Sequence, residues 1–165
     1  MKIVILSDTH GNEANFKKAI GWTKKEGIET LIHCGDIGSH SLLKNMADEF
    51  SGKIHIVFGN IEDRQNLAII ASETENIILH GEIGELKMGK NEIAFCHLPN
   101  IAQALSKNQK YDIVFYGHSH KPWEEKTGRC RLVNPGNLLG TPYKATFAVY
   151  DEEKDKLELK ILERL

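Results

Sequence analysis

Apolar and polar residues alternate along the chain in blocks whose lengths distinguish strands from helices. The continuous apolar run 3–6 predicts a strand covered on both faces. From Asn12 to about Glu26, apolar residues recur at helical spacing instead, and Gly27 is a helix stop signal. The succession continues with a strand at 30–34, a helix at 41–50 and a strand at 54–58. Strands alternating with helices at this spacing predict βαβ units and a parallel sheet.

The blocks become shorter after Asn66. A brief helix over 67–71 is followed by three short apolar runs, at 77–79, 85–88 and 92–96, which predict consecutive hairpin strands. The rest of the chain predicts a helix at 101–105 and strands at 113–116, 131–133, 145–150 and 157–162. No repeat or linker divides the chain, and its 165 residues fit one domain, 1–165. We expect an α/β fold with two packed β-sheets and helices outside, or else a single mixed sheet.

Composition and charge exclude several classes of protein. The hydrophobic fraction of 41% and the charged fraction of 27% are ordinary for a globular protein. The net charge of −2 argues against strong nucleic-acid binding. No apolar run approaches the roughly 20 residues of a membrane-spanning helix, and no signal peptide opens the chain, so we expect a cytoplasmic protein without membrane contact. Three widely spaced cysteines indicate neither a disulfide framework nor a thiolate metal site.

Five of the apolar runs are followed directly by aspartate, asparagine or histidine, usually beside glycine. Taken singly, these motifs are more typical of helix caps and turns. Ligands of α/β sheets, however, collect outside the carboxyl ends of strands, so five such loops can share one crevice. The seven side chains that could meet there are Asp8, His10, Asp36, Asn60, His97, His118 and His120. The other four histidines have no comparable setting, and we expect them to be structural or on the surface.

Three oxygen donors and four imidazoles are too many for one catalytic metal ion with an open position, and they suit two ions. Asp36, central in chain order, is the natural bridging carboxylate. Two ions about 3.5–4 Å apart can clamp a phosphoryl oxygen and deprotonate a water for in-line attack. Oxygen and imidazole ligands without thiolate favour Mn, Fe, Co, Ni or Zn. The sequence therefore predicts two divalent transition-metal ions. The donor types do not choose among these metals, and our expectation is Mn or Ni.

The motif order D-x-H, G-D, G-N-x-[DE], H and G-H-x-H resembles the calcineurin-like metallophosphoesterase superfamily. The short chain, with 134–137 reading N-P-G-N after the last histidine pair, is similar to its YfcE-like prokaryotic phosphodiesterase branch. The resemblance implies a four-layer αββα sandwich of two mixed β-sheets flanked by helices, and a dinuclear metal site. It assigns one ion to Asp8, His10, Asp36 and His120, and the other to Asp36, Asn60, His97 and His118.

Two positions depart from the pattern of the superfamily. Many relatives carry, directly after the motif asparagine, a histidine that can assist the leaving group, whereas this chain has Ile61. Glycine commonly follows the middle histidine, but here Leu98 does. The motifs make Asp36, Asn60 and His10 the candidate catalytic residues. Because Ile61 stands where many relatives have that histidine, the general acid for the leaving group is not identified.

The function expected from the motifs is that of a metal-dependent phosphodiesterase in which a metal-bound hydroxide attacks a small phosphodiester. A phosphomonoesterase and a nucleotide pyrophosphohydrolase are the alternatives among enzymes. A non-catalytic, metal-stabilised protein-binding scaffold is the alternative of another class, since a eukaryotic retromer subunit has this fold without key histidines. All seven ligand positions are filled here, which argues against the scaffold. Assembly into a homo-oligomer is left open.

Overall fold

The structure, a computed structural model, describes residues 1–165 and contains eleven strands, four α-helices and a short C-terminal 3₁₀ helix. The strands are β1 Lys2–Leu6, β2 Thr30–His33, β3 Lys53–Ile56, β4 Ile77–Leu79, β5 Ile83–Met88, β6 Asn91–Cys96, β7 Ile113–Phe115, β8 Trp123–Thr127, β9 Cys130–Asn134, β10 Thr146–Asp151 and β11 Lys156–Ile161. The helices are α1 Glu13–Lys25, α2 His40–Glu49, α3 Arg64–Glu73, α4 Pro99–Lys107 and the 3₁₀ helix Leu162–Arg164.

Two mixed sheets contain all eleven strands. The first sheet has the order β11-β10-β1-β2-β3-β4, and β1 to β4 run parallel because α1, α2 and α3 connect them as crossovers. The second sheet has the order β5-β6-β7-β9-β8, in which β6, β7 and β9 are parallel. The βαβ units predicted for the first third of the chain are therefore present.

Three apolar layers separate four layers of secondary structure. Because successive side chains of a strand point to opposite faces, Val4 and Leu6 of β1 pack towards the helices while Ile3 and Ile5 face the other sheet. A third apolar cluster joins the second sheet to α4 and includes Ala102. The order is helices, sheet, sheet, helix, which confirms the αββα sandwich.

Two strands differ from the sequence-based prediction. The expected hairpin between β4 and β5 is wrong: β4 pairs in parallel with β3, with Ile77 beside Ile54, and β5 starts the second sheet. Of the two hairpins expected among β4, β5 and β6, the β5–β6 hairpin forms. Strand β8 was not predicted, because its sequence WEEKT is almost wholly exposed and lacks apolar alternation. Backbone pairing with β9 at the edge of the sheet makes it a strand.

Helices α3 and α4 are longer than their apolar residues indicated. Helix α3 begins after Asp63, whose carboxylate accepts a hydrogen bond from the backbone amide of Asn66 at 3.1 Å. Helix α4 starts with Pro99 at its first turn. The prediction followed the buried face alone and missed the polar turns at both ends.

None of the helices has the length and the hydropathy that are needed to span a membrane.

Candidate metal centre

The structure brings all seven predicted ligands into one cluster beyond the carboxyl ends of the parallel strands. Contacts between polar side-chain atoms, none longer than 3.6 Å, connect them without a break. The order of contact is Asp8, His120, His10, Asp36, His97, Asn60 and His118. Residues from five separate loops therefore meet at one place, as the strand-end pattern predicted.

One half of the cluster consists of Asp8, His10 and His120. The Nε2 atoms of the two histidines are 3.1 Å apart, and Asp8 Oδ1 lies 3.4 Å from His120 Nε2 and 3.9 Å from His10 Nε2. Asp8 is fully buried at the end of β1, whereas both histidine side chains are partly exposed. The three donors thus converge on a point that is reached from solvent on the histidine side.

The other half consists of Asn60, His97 and His118. Asn60 Oδ1 lies 2.8 Å from His97 Nε2 and 2.8 Å from His118 Nδ1, and those two nitrogens are 3.3 Å apart. His97 is buried at the end of β6, while His118 is exposed in the loop after β7. Both sheets therefore contribute to this half of the cluster.

Asp36 lies between the two halves. Its Oδ1 atom accepts hydrogen bonds from the backbone amides of Asn60 at 2.8 Å and Ile61 at 3.2 Å. Its Oδ2 atom faces the ligand nitrogens on both sides, 3.6 Å from His10 Nε2 and 3.4 Å from His97 Nε2. Asp8 also belongs to both of the three-residue groups that could hold an ion, namely Asp8–His10–His120 and Asp8–Asp36–His97.

Burial and charge act differently on the two carboxylates. Burial raises the pKa of Asp8 to about 6, although Ser7 and the neighbouring histidines oppose the shift. Burial acts on Asp36 in the same direction, but His97 and the amides of Ile61 and Asn60 outweigh it and lower the pKa to about 2. Burial by itself would lower the pKa of His97, but the hydrogen bond to Asp36 and the charge of Asp36 outweigh burial and raise this pKa.

The backbone of the ligand loops adopts an unfavourable conformation at several positions. Seven non-glycine residues of the chain have positive φ, and five of these are candidate ligands. The five are Asp8 (φ 51°), His10 (47°), Asp36 (57°), His118 (69°) and His120 (59°). Left-handed backbone costs free energy for residues with a Cβ atom and is concentrated at functional sites. The fold thus accepts local strain in order to turn these side chains towards one another.

Two glycines allow the loops that carry Asp36 and Asn60 to touch. A Cβ atom on Gly35 would lie 2.7 Å from the Cα atom of Gly59, and one on Gly59 would lie 2.0 Å from Asp36 Oδ1. Gly35 also has a φ of +89°. No larger residue fits either position without separating the two loops.

Backbone carbonyls orient two of the histidines. His97 Nδ1 donates a hydrogen bond to the carbonyl oxygen of Cys34 at 2.8 Å, and His120 Nδ1 donates one to that of Thr141 at 3.1 Å. Since a carbonyl only accepts, Nδ1 carries the proton and Nε2 keeps its lone pair for a metal ion.

Asn134 and Asn137 hold the G-H-S-H loop in place. Both belong to the N-P-G-N segment that contributed to the family resemblance. Asn134 Nδ2 donates to the carbonyl of Gly117 at 2.8 Å, and Asn137 Nδ2 donates to the carbonyl of His120 at 2.9 Å. Both asparagines are buried. Their place in the N-P-G-N segment was visible in the sequence, but their partners lie 17 residues away.

A further support that the sequence did not reveal lies beneath the D-x-H loop. His33, at the end of β2, is completely buried, and its Nε2 atom lies 2.8 Å from Thr9 Oγ1. Burial lowers the pKa of His33 to about 3, so the ring is neutral. His33 therefore positions Thr9, which stands between two ligands. Of the remaining histidines, His40 is exposed and His55 pairs with His80.

The donor set fits two divalent transition-metal ions. Each half combines imidazole nitrogens with a carboxylate or amide oxygen, the donors that such ions prefer. Two ligands of one tetrahedral ion with bonds of 2.0–2.1 Å are about 3.3 Å apart. The nitrogen pairs His10–His120 and His97–His118, at 3.1 and 3.3 Å, have this spacing. Buried Asp8 and Asp36 supply negative charge for cations to neutralise.

The fold and this cluster define a class of protein. The chain belongs to the calcineurin-like phosphoesterase superfamily, whose domain model matches residues 1–155. The resemblance drawn from the five motifs is thereby confirmed. The matched region includes all seven candidate ligands and extends to the residue before the last strand of the first sheet.

Two relatives and one solved structure show which proteins of this superfamily the chain is similar to. The chain is 34% identical to the phosphodiesterase MJ0936 of Methanocaldococcus jannaschii, over 99% of this chain and all of that protein. It is 24% identical to the phosphodiesterase YfcE of Escherichia coli, over 84% of this chain and 79% of the relative. The solved structure of an archaeal phosphodiesterase superposes with a TM-score of 0.88 at 28% identity, covering 98% of this chain and 99% of the other.

Proposed function

We propose that this chain is a metal-dependent phosphodiesterase that hydrolyses small phosphodiesters at the seven-residue cluster, and that residues 1–165 act as one domain. The observation that carries the proposal is the position of Asp36, whose Oδ2 atom faces His10 on one side and His97 on the other. The phosphodiesterase activity named for the two relatives that match over most of their length supports it. The cytoplasmic location of this protein and its oligomeric state remain predictions.

The proposed cofactors are two divalent transition-metal ions, with Mn or Ni favoured. Asp8, His10 and His120 would hold one ion, Asn60, His97 and His118 the other, and Asp36 would bridge them. When bound, such ions neutralise charge on the phosphoryl oxygens and activate water for in-line attack. Two backbone amides donate hydrogen bonds to Asp36 Oδ1, so Oδ2 is the oxygen that is free to bridge.

The chain's own residues position and neutralise the substrate. His10 and His118 reach the solvent side of the cluster and can contact the phosphoryl oxygens. All four imidazoles of the cluster are assigned to ions, so the general acid for the leaving group is not identified. Ile61 lies directly after Asn60 and is 47% exposed, but it has no proton to give. General acid catalysis is worth roughly 10²–10⁴-fold, so we expect the enzyme to prefer leaving groups that are stable as anions.

The proposal is tested by reconstituting chelated protein with Mn or Ni and measuring turnover of bis(p-nitrophenyl) phosphate beside p-nitrophenyl phosphate. We expect metal-dependent hydrolysis of the diester and slower hydrolysis of the monoester, which brings a dianion to the site. Faster monoester turnover would identify a phosphomonoesterase. Protein that binds two ions but hydrolyses neither ester, nor a dinucleotide pyrophosphate, would be a metal-stabilised scaffold.

The role of Ile61 is tested by Ile61→His, with Ile69→His as the matched control because Ile69 is 46% exposed. The first variant places a proton donor next to Asn60, and the second places one on the outer part of α3. We expect Ile61→His to accelerate hydrolysis of alkyl diesters and to change activated aryl diesters little. If neither class responds, His10 becomes the residue to examine as proton donor.

A further inference from the structure

A cavity of about 360 Å³ lies beside the candidate metal centre and has no part in the chemistry described above. Resting on the proposed phosphodiesterase activity, we propose that this cavity binds one ester group of the substrate and selects a neutral, apolar ring. The substrate class would then be a phosphodiester with at least one uncharged aromatic or similarly apolar ester group. This goes further than the reaction, since it assigns a subsite and a preference.

The position of the cavity follows from the two loops that form its walls. Ile37, the residue after Asp36, lines one side, and Ile61, the residue after Asn60, lines the other. Gly38, also in the wall, approaches the metal centre so closely that a Cβ atom there would lie 2.6 Å from the Cα atom of His10. An organic group attached to a phosphate in the cluster is therefore adjacent to this space.

Most of the surface that lines the cavity is apolar. Its apolar lining consists of Ile37, Leu43, Ile61 and Leu67. Its volume falls within the usual range of small-molecule pockets, roughly 300–1,000 Å³. An aromatic ring that leaves water for such a space gains free energy in proportion to its buried apolar area.

Three of the four polar side chains in the lining hold the loops together, and the fourth, His40, is exposed. Ser39 Oγ accepts from the backbone amide of Leu42 at 3.1 Å, and Glu62 Oε1 accepts from that of Ile37 at 2.7 Å. The Asp63 carboxylate accepts from both the backbone and the side-chain amide of Asn66. Glu62 Oε2 is buried, so His40 is the polar side chain left to recognise a polar ester group, and shape and apolarity contribute most to what binds.

The charge around the cavity disfavours anions. Glu62 and Asp63 are both in the lining, which contains no lysine or arginine. Neighbouring Arg64 is engaged elsewhere, in an ion pair with Glu82 and with its guanidinium over the ring of Phe58. An ester group with its own carboxylate or phosphate would therefore meet repulsion from two carboxylates that no lysine or arginine of the lining compensates.

The test uses phosphonates, which carry a single organic group on a bond that is not hydrolysed. Binding of methylphosphonate, phenylphosphonate and 4-carboxyphenylphosphonate to metal-reconstituted protein is measured by calorimetry. We expect phenylphosphonate to bind about 10–100-fold more tightly than methylphosphonate, because its ring is buried in the cavity. We expect 4-carboxyphenylphosphonate to lose most of that advantage.

Two variants assign the effect to the cavity. Ile61→Asp places a charge in its wall and should reduce the phenyl-to-methyl ratio to near one, whereas Ile69→Asp, on the exposed part of α3, should leave it unchanged. Asp63→Asn keeps a residue suited to the helix N-cap and should improve binding of the carboxylated ring. Because each ratio is internal to one variant, a general weakening of metal binding does not imitate the result.

The outcomes separate this inference from the proposed function. Equal binding of phenyl- and methylphosphonate, or a ratio that Ile61→Asp does not change, overturns the subsite even if the same preparations hydrolyse bis(p-nitrophenyl) phosphate. Absence of both diester turnover and binding of any phosphonate overturns the phosphodiesterase itself. A retained ratio in Ile69→Asp that is lost in Ile61→Asp supports the subsite.

Discussion

The chain contains two clusters of histidines with different properties. In the metal centre, four imidazoles surround Asp8 and Asp36. In the second cluster, His55 Nδ1 and His80 Nε2 are 2.9 Å apart, and both rings lie against the ring of Phe95. Burial, together with His80 and Lys53, lowers the pKa of His55 to about 4. One cluster gathers donors for cations, and the other is a neutral pair.

The difference between the clusters lies in what surrounds the imidazoles and where the chain turns. His55 is in the middle of β3 and faces Phe95 of the other sheet, where regular strand geometry leaves no room for a converging loop. The metal-centre histidines follow strand ends in loops with left-handed backbone, and His80 also follows the end of β4, beside Gly81 (φ 83°). The metal-centre histidines differ in having the buried carboxylates of Asp8 and Asp36 next to them. Neither histidine nor a strand-end loop by itself therefore predicts a metal site; carboxylates beside them do.

The largest effect is expected from removing Asp36, the carboxylate proposed to bridge the two ions. Asp36→Asn should lower metal content and diester turnover together, because an amide oxygen bridges two cations poorly. Loss of residues that merely support a ligand costs 10–100-fold in metal affinity, so a bridging ligand should cost more than about 100-fold. The measurement is elemental analysis of metal per chain beside the turnover rate.

The matched control for that substitution is His55→Asn, which removes a buried histidine of the second cluster. We expect it to retain two ions per chain and nearly full turnover. Two ions with normal activity in Asp36→Asn would show the dinuclear assignment to be wrong. Loss of metal in His55→Asn would mean that the two clusters are not independent.

Removal of the metal should destabilise the protein. Ions that bind only the native state stabilise it by mass action, by about 2.7 kcal/mol at a hundredfold excess over the dissociation constant. For a chain of this size we expect chelation to lower Tm by about 5–10 °C. Differential scanning calorimetry of chelated and reconstituted protein measures the shift, and an unchanged Tm in protein proven free of metal contradicts the proposed site.

A smaller effect is expected where a side chain supports a ligand loop without touching an ion. Asn137→Ala removes the hydrogen bonds from Asn137 to the His120 carbonyl and from the Gly140 amide to Asn137. Supporting residues of this kind contribute about 10-fold to metal affinity. Titration of the apo-protein with Mn measures the change, and Asn76→Ala, far from the site, is the control. Equal affinities in the two variants would assign Asn137 to general stability.

The smallest effect concerns the pH dependence of the second cluster. The pKa of His55 is about 4 in the folded protein and 6.5 when unperturbed, so the unfolded chain binds more protons between these values. The contribution of His55 to stability is present above pH 6.5 and is lost as the pH falls towards 4. His55→Leu should therefore reduce the loss of stability between pH 7 and 5 by about 1 kcal/mol.

That pH effect is measured as the Tm of metal-free protein at pH 7 and pH 5. Metal-free samples are used because protonation of the ligand histidines would otherwise release ions and imitate the result. Parallel Tm changes in the parent and in His55→Leu would show that His55 is not the group responsible.

Much of the site could be predicted from the sequence, because its information is local. Each ligand lies in the loop after an apolar run, and parallel strands place their carboxyl ends at one edge. The βαβ succession of the first third is therefore enough to predict that Asp8, Asp36 and Asn60 lie together. The helices α1 and α2 were equally accessible, since apolar residues recur at helical spacing in both segments.

Tertiary structure alone decided features that depend on contacts distant in sequence. The hydrogen bond of His33 to Thr9 joins residues 24 positions apart, and those of Asn134 and Asn137 span 17. The partner of β4 and the existence of β8 were decided by which backbone edge was free for pairing.

The physical reason for this division is the range of the forces involved. The spacing of apolar residues within a short segment predicts its secondary structure and its buried face, because the residues that share a face are close in sequence. A hydrogen bond between loops, or a cavity such as that between Ile37 and Ile61, exists only after two distant segments have packed together. Local sequence thus determined which side chains could bind metal, and packing determined what orients them and what lies beside them.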